Sequence, residues 1–138
     1  MGGLHLTKNE YLLDTHALCF WYTRESVSEN YIKFFDKQEQ QGNLYISSIS
    51  FWEIALLSKK GKIQMNDLEL WKNELFENTN INLIEPTVSD MIASVKLPDH
   101  HKDPFDRLLI IQAVNRKALL VTKDSIINKY KVKTFWQN

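Results

Sequence analysis

Five short apolar runs are spaced along the chain with helix-like segments between them, and this alternation restricts the folds open to it. YLLD (11–14), LYIS (44–47), INLIE (81–85), LLVT (119–122) and VKTF (132–135) read as strands. Between them, apolar residues recur with a 3.6-residue period over roughly 26–40, 50–60, 67–78, 87–96 and 104–117, and a short helix follows Asp124. Strands alternating with helices predict an α/β domain whose largely parallel sheet of about five strands is covered on both faces. Gly42, Gly61, Pro86 and Pro98 fall between the elements as breakers. At 138 residues the chain suits one domain, expected over 10–138, with residues 1–9 expected to be loose.

In a parallel sheet of this kind ligands bind outside the carboxyl ends of the strands. Acidic residues gather at that edge. Asp14 closes the first run, where a buried carboxylate is costly unless something pairs with it. Glu53 lies in SSISFWEIALL, expected in the first turn of the helix after the second strand, and Asp103 and Asp106 lie in HKDPFDRLLIIQA. Asp124 ends LLVTKD.

Helix capping offers a plainer account of several of these acids. Ser50 and Glu53 have the spacing of a capping box, and Asp103 reads as an N-cap before Pro104, with Asp106 in the first turn. Asp124 has the position of a cap for a helix over 125–130. Two arguments go further. Asp106 shares a stripe with Leu109, Ile110 and Ala113, and Glu53 precedes Leu56 and Leu57 at i+3 and i+4, so both point along apolar faces. If the acids converge, each like-charge pair at about 4 Å costs roughly 4 kcal/mol at an effective dielectric of 20. A helix N-terminus returns only about 0.3–1 kcal/mol. Either some of these carboxyls are protonated, or a hard cation such as Mg²⁺ or Mn²⁺ sits among them.

Taken in order, LLDTHAL, SSISFWEIALLSKKGKI, LPDHHKDPFDRLLIIQA and LLVTKDSIINKYKV resemble the PIN-domain ribonucleases, and among them the VapC-type toxins of bacterial toxin–antitoxin pairs. The resemblance spans about Tyr11 to Trp136. It implies a PIN-like three-layer fold and an endoribonuclease in which Asp14, Glu53, Asp106 and Asp124 hold one or two Mg²⁺ or Mn²⁺ ions for attack of an activated water on an RNA phosphodiester. Thr15 and Thr122 match hydroxyl residues beside the first and last acids and would orient the ligands from behind, as would Asp103. It also implies a homodimer and an antitoxin that lays an amphipathic segment into a groove between helices. Two positions depart from the branch: Leu57 stands where a lysine is expected, and Ile111 where alanine is usual.

Basic residues supply candidate phosphate contacts. Arg107 is the leading one, with Lys102 and Lys123 beside it, while Lys59, Lys60 and Lys62 suit a solvated face. In DHHKD, adjacent His100 and His101 are poorly placed to aim at one zinc ion and read as a solvated loop; His16 reads as a helix-start histidine. Most aromatics, Trp136 among them, are expected in the core.

Composition adds boundaries. Seventeen basic and seventeen acidic side chains cancel, so attraction to nucleic acid has to come from a local patch. No apolar stretch approaches the ~18 residues of a membrane span. The start lacks the features of a signal peptide and Cys19 is the only cysteine, so the cytoplasm is the expected location. Two rival functions remain at this level: a phosphoaspartyl protein of receiver or phosphatase type, and a PIN-fold module that binds a partner without catalysis. A phosphatase would want an acid where His16 stands.

Overall fold

β1 (Tyr11–Leu13) is the central strand of the sheet, pairing in parallel with β2 (Leu44–Ser47) on one side and with β4 (Leu119–Val121) on the other. β3 (Asn82–Ile84) joins the outer edge of β2 and β5 (Thr134–Phe135) that of β4, both in parallel, giving the order β3-β2-β1-β4-β5. These coordinates are a computed structural model and describe residues 8–138. Of the stretch expected to be loose, residues 1–7 lie outside the described residues, and Lys8 and Asn9 are exposed.

Helices connect the strands: α1 (Thr15–Thr23) and α2 (Glu29–Gln40), α3 (Ser48–Lys59) and α4 (Leu68–Asn78), then α5 (Val88–Val95) and α6 (Pro104–Arg116), with a 3₁₀ helix, η1 (Ser125–Lys129), before β5. Alternating side chains divide the interior into two cores, as the period of a strand requires. Tyr11 and Leu13 of β1 join Leu44, Ile46 and Val121 in packing against α1, α2, Ile54 of α3 and Trp71 and Leu75 of α4. Leu12 and Leu120 face the other way, onto Leu109, Ile110 and Ala113 of α6 and Ile127 of η1. The result is the three-layer α/β fold with a parallel five-stranded sheet that the alternation predicts.

Two local expectations are corrected. The strands are shorter than the apolar runs, so Asp14, Glu85 and Thr122 lie just beyond their last strand residues. In addition, α1 lies outside the periodic segments, because THALCFWYT is apolar nearly all round and shows no stripe: Thr15, Ala17, Leu18 and Trp21 are all buried. Asp14 starts this helix as its N-cap, with Oδ1 accepting from the Ala17 N–H at 2.7 Å.

Candidate metal centre and active site

Two acids, Asp14 and Asp124, reach one edge of the sheet because β1 and β4 are parallel neighbours. Asp14 leaves β1 with its N–H donating to Val121 O at 3.1 Å, and the residue is only 6% exposed. Thr122 follows β4, lines the same cavity as Asp14, and its hydroxyl favours the charged form of that carboxyl, against the effect of burial. Asp124 then caps η1, Oδ1 accepting from Ile126 N–H at 2.9 Å while its own N–H donates to Thr122 Oγ1 at 3.1 Å. Asp14, Asp106 and Asp124 line one cavity of about 330 Å³.

Asp106 enters from the first turn of α6, whose N-cap is Asp103, accepting from Phe105 N–H at 2.9 Å. Beside it stands His101, which the sequence placed in a solvated loop. The structure corrects that: Nε2 of His101 lies 3.0 Å from Asp106 Oδ2 and 2.8 Å from Asp124 Oδ2. Its Nδ1 accepts from Asp103 N–H at 3.1 Å, which leaves the ring proton on Nε2, aimed at the two carboxylates. These three side chains each offer a ligand atom within 4.8 Å of the others. His100 is elsewhere, with its ring against Tyr130.

Arg107 is also corrected. It is 8% exposed, and its guanidinium donates to five backbone carbonyls: Ser94 at 3.1 Å, Val95 at 3.2 Å, Leu97 at 2.7 Å, Pro98 at 3.0 Å and His101 at 2.9 Å. A guanidinium has five N–H donors. It is therefore committed to holding the end of α5 and the 96–101 loop, and no donor is left for a phosphate. Lys102 lines a separate hollow together with Asp99 and Pro104. Lys123 does line the acidic cavity.

Glu53 sits farther back. The N-cap of α3 is Ser47, whose Oγ accepts from Ile49 N–H at 3.3 Å, so Glu53 lies in the second turn and the expected Ser50–Glu53 capping box does not form. Its Oε1 accepts from Thr15 Oγ1 at 2.5 Å, and that hydroxyl is 3.2 Å from the buried Ser50 Oγ. Contact with the other acids is through charge: burial first, then Asp103 and Asp14, raise the Glu53 carboxyl above its ordinary range.

The same forces act on its neighbours. Burial pushes Asp14 up, and the Asp124 charge adds to the effect. Asp106 is pushed up to about 7, by burial first and then by Asp103, Asp14 and Glu53, against a smaller opposing pull from His101. Among the described residues no lysine or arginine forms an ion pair with any of these acids. Carboxylates kept close, partly buried and, among the described residues, without a paired lysine or arginine, with hydroxyls beside them, form an oxygen-rich donor set that fits a hard divalent ion.

The PIN domain family model matches residues 11–133. The chain belongs to the PIN-domain family. Ribonuclease VapC22 of Mycobacterium tuberculosis (strain ATCC 25618 / H37Rv) is 30% identical over 124 residues, which cover 87% of this PIN domain chain and 91% of that protein. Among solved structures, VapBC2 from Rickettsia felis bound to a DNA fragment from their promoter contains a chain that superposes with a TM-score of 0.69 at 16% identity, over 93% of this chain and 98% of that one. A chain of a toxin–antitoxin complex from Klebsiella pneumoniae superposes with a TM-score of 0.58 at 18% identity, over 84% and 88%. At such identities the two structures establish the PIN fold alone. The strand order also departs from the receiver form of the phosphoaspartyl alternative: in receiver-type sheets the third strand sits beside the first, whereas here β4 does.

Proposed function

We propose that this PIN domain is a divalent-metal-dependent endoribonuclease and the toxin of a toxin–antitoxin pair, acting in the cytoplasm. The observation that carries the reading is the arrival of Asp14, Asp106 and Asp124 in one cavity with, among the described residues, no lysine or arginine paired to them. Asp14, Asp106 and Asp124 would hold the ion, with Glu53 on the Thr15 side. Bound there, Mg²⁺ or Mn²⁺ would supply Lewis acidity toward a water nucleophile and toward the scissile phosphate. The chain's own groups do the rest. Ala17 N–H and Thr15 fix the rotamers of Asp14 and Glu53, and Asp124 is anchored through Ile126 N–H. His101 holds Asp106 and Asp124 together. Lys123, exposed at the cavity mouth, meets the phosphate backbone.

The partners follow from the relatives. VapC22 is named a ribonuclease, and the Klebsiella pneumoniae structure is a toxin–antitoxin complex, which supports RNA as substrate and an antitoxin as regulator. A second copy of the chain is the partner proposed for α5, whose Val88, Met91, Ile92 and Val95 form an outward apolar stripe.

Incubating purified, partner-free protein with total cellular RNA tests the activity, in Mn²⁺ and in excess chelator, with Asp106→Asn in parallel. Discrete fragments that need both the metal and Asp106 are expected. Absence of fragments from folded protein would favour the non-catalytic binding module, and fragments persisting in the variant would mean that Asp106 is not a ligand.

A further inference from the structure

Beside the acids the cavity wall is aromatic, and metal binding gives that wall no role. Phe20 from α1 and Trp136, which follows β5, meet edge to face with centroids 6.3 Å apart and planes at 83°. Both line the cavity that contains Asp14, Asp106 and Asp124. The Lys123 Nζ lies 4.9 Å from the Trp136 ring centroid and 5.5 Å from that of Phe20. Behind Trp136, at 4.9 Å between centroids, is the ring of Tyr31, which is wholly buried and whose hydroxyl donates to Ala17 O at 2.7 Å. The indole thus has the buried Tyr31 ring on one side, Phe20 at its edge, and the exposed Lys123 ammonium over its ring.

We propose that Phe20 and Trp136 form a subsite for one unpaired nucleobase of the RNA, which stacks on Trp136 in the place of the Lys123 ammonium while Lys123 turns to the neighbouring phosphate. The proposal rests on the nuclease reading above and adds to it the side chains that receive a base beside the acids. An exposed cation–π contact is weaker than the stacking of a base on an aromatic ring, so the exchange runs toward the base. The displaced ammonium gains a phosphate, a better partner for it than a ring face. With Arg107 occupied and Lys102 in another hollow, Lys123 is the cation lining this cavity among the described residues. A base inside a duplex has its faces covered, so the subsite selects single-stranded RNA. Stacking tolerates any base, so it demands an unpaired nucleotide at the cut without naming it.

The test is a binding measurement on the Asp14→Asn protein in Mg²⁺, which removes turnover. Its probes are a short single-stranded oligoribonucleotide and a ribose-phosphate chain of equal length and charge that lacks all bases. The RNA should bind at least about ten-fold tighter than the abasic chain, and duplex RNA should bind like the abasic chain. Trp136→Leu and Phe20→Leu should abolish most of that preference, while Lys123→Met should weaken both probes alike. Because Trp136 also packs on Tyr31, Trp136→Phe is included as a variant that preserves packing; it should retain part of the preference. Equal binding of the two probes, or a preference unchanged in both Trp136→Leu and Phe20→Leu, overturns the subsite. Cleavage of total RNA by the wild-type protein separates the two readings: a base preference without cleavage sinks the nuclease and leaves the subsite, and cleavage without the preference does the reverse.

Discussion

His101 Nε2 stands 2.8 Å from Asp124 Oδ2, joining the loop before α6 to the residue that starts η1. The same nitrogen is 3.0 Å from Asp106 Oδ2, so one N–H faces two carboxylates that would otherwise face each other. Replacing His101 with alanine removes that donor and should destabilise the metal-free protein by about 2 kcal/mol, the scale of a hydrogen bond to a charged group. Saturating Mn²⁺ should shrink the difference, because the ion then offsets the repulsion between the two carboxylates. Thermal melts of the wild type and His101→Ala, with and without Mn²⁺, measure both quantities; an equal loss in the two conditions would detach His101 from the acids.

Arg107 should behave as a structural residue. A lysine in its place offers three donors from one nitrogen and cannot span five carbonyls. Arg107→Lys is expected to cost about 3 kcal/mol in urea unfolding. Affinity of the folded variant for RNA should change far less than that of Lys123→Met. A stable variant with a large loss of RNA affinity would restore Arg107 as a phosphate contact.

The two residues misread from sequence explain one another. Asp14, Asp106 and Asp124 were legible because strand ends and helix starts are marked by apolar runs, caps and Pro104, and a parallel sheet puts such positions on one edge. His101 and Arg107 belong instead to a loop whose path no local pattern reports. Adjacent histidines suggest solvent, and a positive charge near acids suggests phosphate, until the guanidinium is seen to gather the carbonyls of residues 94–101 and deliver His101 inward. A faint signal was present: Arg107 shares its helix stripe with Ile110 and Ile111 at i+3 and i+4, an apolar setting for a charge. Glu53 was placed on the correct helix but one turn early, because Ser47 and Ser50 are both plausible caps and only Ser47 sits at the strand end.

Stability of the metal-free protein should fall as pH rises. The Asp106 carboxyl is at about 7 in the folded chain against an ordinary 3.8, so between those values the native state holds a proton that the unfolded state has lost. Folding is therefore favoured at the acid end of that window and loses free energy through it, by at most roughly 4 kcal/mol. Asp106→Asn should flatten the slope and raise the melting temperature of the metal-free protein at pH 8. Added Mn²⁺ should stabilise the wild type more at pH 8 than at pH 5. A metal-free melting temperature that rises from pH 5 to pH 8 would contradict the assigned raised value.

Asp14 has two duties that substitution can separate. Its Oδ1 caps α1 through Ala17 N–H at 2.7 Å, and its buried carboxylate faces the cavity. Asparagine keeps an oxygen for the cap and drops the charge; alanine drops both. Asp14→Asn should fold with stability equal to or above that of the metal-free wild type, since burial already opposes the charge. Asp14→Ala should be less stable than Asp14→Asn by about 1 kcal/mol, the usual worth of an N-cap. Both should lose RNA cleavage and bind Mn²⁺ more weakly in calorimetric titration. Cleavage at wild-type rates by Asp14→Asn would reduce this residue to its cap and move the centre toward His101, Asp106 and Asp124.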